Sequence, residues 1–263
     1  MKLSFYKYQA TGNDFVMIDD REGLWAERLS QANIAALCHR RFGIGADGLI
    51  LLQAHEQYHF RMQYYNADGG ESTMCGNGGR CLVAFARDLG IDAQIYSFEA
   101  IDGLHHASID EALVELQMTT PKGFRQTDDG QFFLDTGSPH YVGFYDTAVA
   151  ELPVLEEGKR IRYSQAFAPG GTNVNFVNVL TDSELSVRTY ERGVEDETYS
   201  CGTGVTACAI VHLHNTHRKV GEIELDTPGG KLKVRLDEQG DVFLTGPAER
   251  VFAGRVSLSS ISD

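Results

Sequence analysis

Residues 71–81, ESTMCGNGGRC, put a cysteine immediately before a small glycine-rich turn that opens onto LVAFARDLG (82–90), an apolar run with helical spacing. Residues 197–208, ETYSCGTGVTAC, repeat the arrangement: a glutamate four residues upstream, then Cys-Gly-x-Gly, then a helix carrying another cysteine. The two sites are separated by close to half of the 263 residues, so each half reads as one copy of a structural unit.

The likeness continues on either side of the motif. After each helix come a strand, a glycine turn and a second strand, IYSFEAIDGLHHASI (95–109) and IELDTPGGKLKVRL (223–236), the pattern of a β-hairpin. Before each helix, YHFRMQYYNADG (58–69) and ELSVRTYERG (184–193) alternate apolar and polar positions as half-buried strands do. The expected fold is therefore α/β of the α+β kind, with two pseudo-symmetric domains, each a curved antiparallel sheet or barrel around a central helix. The seam falls near TTPKG (119–123), giving domains 1–118 and 119–250. The last strand-like stretch, VFAGRVSLSS (251–260), fits either half on pattern alone.

The helix after Cys201 carries Val205, Ala207, Cys208, Ala209, Ile210, Val211 and Leu213, which leave little polar face and place it inside a domain. The helix after Cys75 carries Leu82, Val83, Phe85, Ala86 and Leu89, with Gly90 as its C-terminal cap. Two central helices would emerge from their cores at the N-terminal ends, where the halves are expected to bring them face to face.

That placement explains the thiols. A free cysteine has a pKa of about 8.5, and a helix N-terminus lowers it toward neutrality. Glycines 76, 78, 202 and 204 expose backbone N–H groups that bind anions. A carboxylate held there would sit beside both sulfurs, and an amino-acid α-carbon would have one cysteine on each face. One thiolate would remove the α-proton while the other thiol delivers its own, inverting the centre with no cofactor. The N–H groups would stabilise the enolate-like carboxylate.

Composition narrows the alternatives. A net charge of −14 and a pI near 5.0 argue against nucleic acid or an anionic membrane as partner. MKLSFYKYQATGNDF lacks the apolar core of a signal peptide, and no window reaches the roughly 18 apolar residues of a membrane span. Five cysteines without regular pairing suit a reducing compartment, so a cytoplasmic location is expected. Cys38, Cys81 and Cys208 lie in apolar helical stretches and read as packing. GIGADG (43–48) has the glycine spacing of a dinucleotide fingerprint but follows a helix and precedes a strand, the reverse of the required context. His212, His214 and His217 lack metal-ligand spacing and read as exposed residues on a helix end; no metal is expected.

Taken together, GNDF, GIGADG, YYNADG, MCGNGGRC, GSPHYV, GTNVNF and YERGVEDETYSCGTG resemble the diaminopimelate epimerases over most of the chain. The resemblance implies two similar α/β domains with the C-terminal strand, 251–263, packing back on the first. It implies Cys75 and Cys201 as the acid–base pair, and backbone at Gly76, Asn77, Gly202 and Thr203 binding the reacting carboxylate. Asn13, Asn66, Asn173, Glu191 and Arg192 carry over to the distant amino-acid group: a guanidinium forks onto a carboxylate, and carboxylate and amide oxygens accept from an ammonium. His140 and Glu191 carry over as modulators of the thiols. The implied partner is small-molecule diaminopimelate, with a homodimer as the assembly.

Two departures stand out. Many members have asparagine where this chain has Ser138, a shorter group expected to reach substrate through water, and some have glutamine in place of Gly48. The expected reaction is interconversion of LL- and meso-2,6-diaminopimelate, in lysine and cell-wall precursor synthesis. A proline or hydroxyproline racemase is the runner-up, but would leave Asn66, Asn173, Glu191 and Arg192 unpaired. A non-catalytic amino-acid-binding relative would have no use for two thiols.

Overall fold

The structure, a computed structural model, describes residues 2–72 and 74–258. The chain divides into two compact units, Met1–Leu116 with Pro247–Asp263, and Gln117–Gly246. In chain order the elements are β1 (Lys2–Ala10), β2 (Asn13–Asp19), α1 (Gln31–Cys38), β3 (Gly48–Gln53), β4 (Phe60–Asn66), α2 (Gly76–Asp88), β5 (Tyr96–Ala100), β6 (Gly103–Asp110) and β7 (Leu113–Met118). There follow β8 (Lys122–Gln126), β9 (Phe132–Asp135), β10 (Pro139–Phe144), α3 (Val154–Arg162), β11 (Asn173–Thr181), β12 (Glu184–Glu191), β13 (Asp196–Thr198), α4 (Gly202–Asn215), β14 (Gly221–Thr227), β15 (Gly230–Leu236), β16 (Val242–Pro247) and β17 (Glu249–Ser257).

Both hairpins read from the sequence are present, β5 with β6 and β14 with β15. Strand β17 pairs antiparallel with β1, so the C-terminal stretch joins the first unit. Antiparallel pairs predominate, but each unit also holds two parallel pairs that periodicity had not revealed. In the first, β2 pairs with β3 and β4 with β5; in the second, β10 pairs with β11 and β12 with β14. Parallel neighbours cannot be joined by a tight turn and need a crossover. The helices α1, α2, α3 and α4 lie in those four connections in turn. The repeated unit is therefore a pair of helical crossovers in one mixed sheet.

Each sheet is covered on both faces. In the first unit Val16, Ile18, Leu49 and Leu51 pack with Ile34 and Leu37 of α1, while the alternate Phe15 and Ile50 approach Gly78 of α2. This is why NDFVMID and GLILLQ read as near-continuous apolar runs. In the second unit Val174, Phe176 and Tyr190 pack with Val154 and Ile161 of α3, which leaves Asn175 on the face toward Gly204 of α4.

Helix α2 packs on β1, β2, β3, β4, β6 and β17, and α4 on β9, β10, β11, β12, β14 and β15. Leu82, Val83, Phe85, Val205, Val211 and Leu213 are all at most 1% exposed. Burying each such side chain contributes about 1.5–3 kcal/mol, which outweighs the cost of a glycine-rich first turn. The helices also end alike. The Ile91 N–H bonds Ala86 O and the Gly90 N–H bonds Arg87 O, with Gly90 at φ 83°. In α4 Arg218 bonds Leu213 O and His217 bonds His214 O, with His217 at φ 55°. Both are Schellman motifs.

One expectation fails here. His212 is 3% exposed and its Nε2–H donates to Asp182 O at 3.0 Å, because it falls inside the apolar run. His214 and His217 are exposed as read.

Candidate active site

Cys75 and Cys201 are the N-cap residues of α2 and α4, each in extended backbone (φ/ψ −97°/128° and −120°/111°), and neither helix has a side-chain cap bond at its start. The cysteine carbonyls accept the first helical bonds, from Gly79 at 2.7 Å and Val205 at 2.9 Å. The remaining first-turn N–H groups point out along the helix axis, an arrangement suited to an anion.

Around Cys75 the structure gathers Asn13, Gly76 and Asn77. The Cys75 thiol donates to Asn13 Oδ1 at 3.7 Å, and Asn77 Nδ2 donates to the same oxygen at 3.3 Å. The amide orientation of Asn13 follows from its other end, since Nδ2 meets Asp47 Oδ2 at 2.7 Å and a carboxylate only accepts. Arg40 bridges Asp47 and Asp14, and Asp14 also pairs with the buried Lys7 at 2.6 Å. Burial alone would raise the pKa of Asp14, yet Arg40 and Lys7 outweigh it and hold the carboxyl at about 2. Asn66 is exposed at the end of β4, where its carbonyl accepts the Gly69 N–H in a turn, and it does not join this cluster. Gly48 pairs with Asn66 in the ladder; a Cβ there would meet Tyr64 Cε2 and Tyr65 O at 2.6 Å, so this packing demands glycine.

Around Cys201 the network is longer, and its direction can be worked out. Asn175 Nδ2 donates to Tyr141 O at 2.8 Å, which fixes the amide, and the same nitrogen meets His140 Nδ1 at 3.1 Å. Nδ1 is thus the acceptor, and Nε2 carries the proton. Asn173 is fixed likewise: Nδ2 donates to Pro139 O at 2.9 Å and Oδ1 accepts the Arg192 N–H at 2.8 Å, so Nδ2 also donates to Ser138 Oγ at 3.2 Å. The Ser138 hydroxyl and His140 Nε2–H then both donate to Thr203 Oγ1, at 3.1 and 2.9 Å. With both lone pairs of Thr203 occupied, its own proton is left for the Cys201 sulfur at 3.4 Å.

His140 is fully buried; that burial, and secondarily the cation of Arg192, push its pKa down to about 3. The imidazole is therefore neutral throughout the physiological range and acts as a hydrogen-bond donor. Glu191 ends β12 half-buried, and its carbonyl accepts the Glu195 N–H at 2.8 Å. Arg192 is exposed, held at its backbone by Asn173. Ser138 is hydrogen-bonded to Asn173, His140 and Thr203.

Four participants were not singled out from sequence: Asp47, Asn175, Thr189, whose hydroxyl holds Asn175 Oδ1 at 3.0 Å, and Arg80. The Asn-Val-Asn spacing carried a signal for one of them, because residues 173 and 175 of a strand share a face. The other cysteines are packing groups: burial pushes Cys38 up to about 12 and raises Cys81 and Cys208 as well.

A buried helix crossing each of two similar mixed-sheet units is a duplicated α/β fold that solved structures share. A PhzF family phenazine biosynthesis protein of Bacillus anthracis superposes with a TM-score of 0.73 over 98% of this chain and 99% of its own, at 14% identity, a likeness of fold alone. The chain belongs to the diaminopimelate epimerase family, whose model matches residues 5–122 and 132–251. Diaminopimelate epimerase of Flavobacterium psychrophilum is 49% identical over 255 residues, covering 95% of this chain and 98% of that one. That of Chlorobaculum tepidum is 43% identical, covering 94% and 98%.

Proposed function

We propose that the chain is an isomerase that interconverts LL- and meso-2,6-diaminopimelate, with Cys75 and Cys201 as the two acid–base groups. Each direction uses one sulfur as thiolate to take the α-proton and the other as thiol to deliver one, so the centre inverts. The backbone N–H groups of Gly76, Asn77, Gly202 and Thr203 bind the reacting carboxylate and stabilise its enolate-like form. Asn13, Asn66, Asn173, Glu191 and Arg192 serve the distant amino-acid group, Asn173 by placing the Arg192 backbone. His140 acts on Cys201 through Thr203, and Glu191 completes the set. No cofactor enters the proton transfer.

The observation that carries this reading is the cysteine N-cap on each of two buried helices in a chain of this family. The surroundings of the two sulfurs differ: the Cys75 thiol donates to the Asn13 amide oxygen, whereas Cys201 faces the Thr203 hydroxyl. The same reading makes the chain a supplier of meso-diaminopimelate for lysine and cell-wall synthesis, and a cytoplasmic homodimer. None of its five cysteines is in a disulfide, and no helix among the described residues is long and apolar enough to cross a membrane.

Turnover of LL-diaminopimelate, followed by resolving the stereoisomers, tests the proposal. Cys75→Ala and Cys201→Ala should each abolish epimerisation in both directions. Lysine and alanine, which lack the distal group, should not be turned over, since remote contacts orient the reacting centre. Near-native activity of either variant, or comparable rates on alanine, would contradict it.

A further inference from the structure

Arg80, in the second turn of α2, is 0% exposed, among the largest side chains fully buried in the protein. Its Nη2 donates to Asn77 Oδ1 at 3.0 Å and Thr11 Oγ1 at 3.2 Å, while Nε and Nη1 have no hydrogen-bond partner among the described residues. A buried guanidinium with no compensating anion is strongly unfavourable, so the fold that retains one has a use for it. Helical side chains lean back toward the N-terminus, which carries this cation toward the end of α2 that Cys75 caps.

The guanidinium joins the Cys75 cap through Asn77, whose Nδ2 and the Cys75 thiol donate to one oxygen, Asn13 Oδ1, at 3.3 and 3.7 Å; the thiols near enough to act on its charge are Cys81 and Cys75. Cys81 is fully buried and burial keeps it protonated, which leaves Cys75. Full burial also denies Arg80 a face for substrate. Helix α4 has nothing of the kind: five residues after Cys201 stands Thr206, whose hydroxyl is spent on Gly202 O at 2.8 Å.

We propose that Arg80 is the built-in counter-cation of the Cys75 thiolate, a positioning residue that offsets the charge on sulfur once Cys75 has given its proton. The two thiols of one reaction are then tuned by different means, Cys75 by a fixed charge and Cys201 by a donated hydroxyl. The other ionisable groups on elements packed against α2 are largely engaged with one another. On β1 and β2, Lys7 faces Asp14, and Tyr8 is bonded to Asp88 at the far end of the helix. Beside β6, His105 pairs with Asp102, which also accepts the Met74 N–H. From β3 and β4 the helix meets Ile50 and Met62, and from β17 Arg250 acts on Tyr8.

The inference rests on Cys75 being one of the acid–base thiols. Alkylation by iodoacetamide, read at each cysteine by peptide mass across pH, reports on the thiol without turnover, while the activity of Cys75→Ala tests that underlying reading separately. Arg80→Met should slow alkylation of Cys75 at neutral pH at least tenfold, with the deficit closing at alkaline pH and Cys201 unaffected. Arg80→Lys should restore the rate to within about threefold. A folded Arg80→Met with the Cys75 profile unmoved, or equal losses at Cys75 and Cys201 at every pH, would overturn the proposal. Should Arg80→Met fail to fold, the native chain decides: its Cys75 profile should lie on the acid side of an unstructured cysteine peptide, and a profile at or above the peptide's would overturn it.

Discussion

Thr203 Oγ1 lies 2.9 Å from His140 Nε2 and 3.4 Å from the sulfur of Cys201, so a neutral histidine reaches the thiol through one hydroxyl. Histidine polarises threonine, and threonine donates to sulfur. Removing that hydroxyl while keeping its shape isolates the last link. A hydrogen bond to a charged group contributes about 1.5–3 kcal/mol. Thr203→Val should therefore lower kcat roughly tenfold to hundredfold at neutral pH with little change in thermal unfolding, and Thr203→Ser should recover most of it. Steady-state kinetics of the pair, with melting curves, check this.

His140 should not titrate between pH 5 and 8. Its folded pKa of about 3 lies below the roughly 6.5 of an unfolded histidine, so between these values the unfolded chain binds the extra proton. The stability tied to neutral His140 is complete above about pH 6.5 and is lost as pH falls toward 3. Nitrogen-resolved NMR should find one imidazole locked as the Nε2–H tautomer across the neutral range. A midpoint near 6.5 for this ring would remove the neutral donor from the scheme.

Gly204→Ala sets two effects against each other. Alanine in a helix interior gains about 0.5–1 kcal/mol over glycine. The added Cβ, however, would lie 2.5 Å from Asn175 Oδ1 and 3.4 Å from the Cys201 sulfur, and overpacking costs about 1–3 kcal/mol. Overpacking wins, because Asn175 is tied to Tyr141 O, His140 and Thr189 and cannot yield without releasing the histidine. The variant should melt lower and lose activity. Gly78→Ala should cost less stability, since its Cβ would meet the mobile end of Ile50, Cδ1, at 3.0 Å.

Much of this architecture was legible as repetition. Cys-Gly-x-Gly before an apolar helix, twice, was enough to place α2 and α4 in the cores and the hairpins beside them. The parallel pairs were not legible, because a period of two is the same whether the neighbour runs up or down; β4 and β5 are paired only because α2 carries the chain back across the sheet. The site divides the same way. Cysteines at helix starts can be argued from charge and backbone, whereas Asn175 and Arg80 look in sequence like ordinary polar residues. Only the packed face shows that one orients a histidine and the other is a buried cation.

The central claim is that two different sulfurs serve the two sides of one carbon, and the origin of the incoming proton tests it most directly. The thiol that delivers has exchanged with solvent before substrate binds, while the thiolate that abstracts holds the substrate's own proton. With LL-diaminopimelate in deuterated water at low conversion, the meso product should carry deuterium at the inverted centre and the recovered LL substrate should remain almost wholly protonated. Deuterium entering the substrate pool as fast as product forms would mean that a single base works both faces, and the pairing of Cys75 with Cys201 would be wrong.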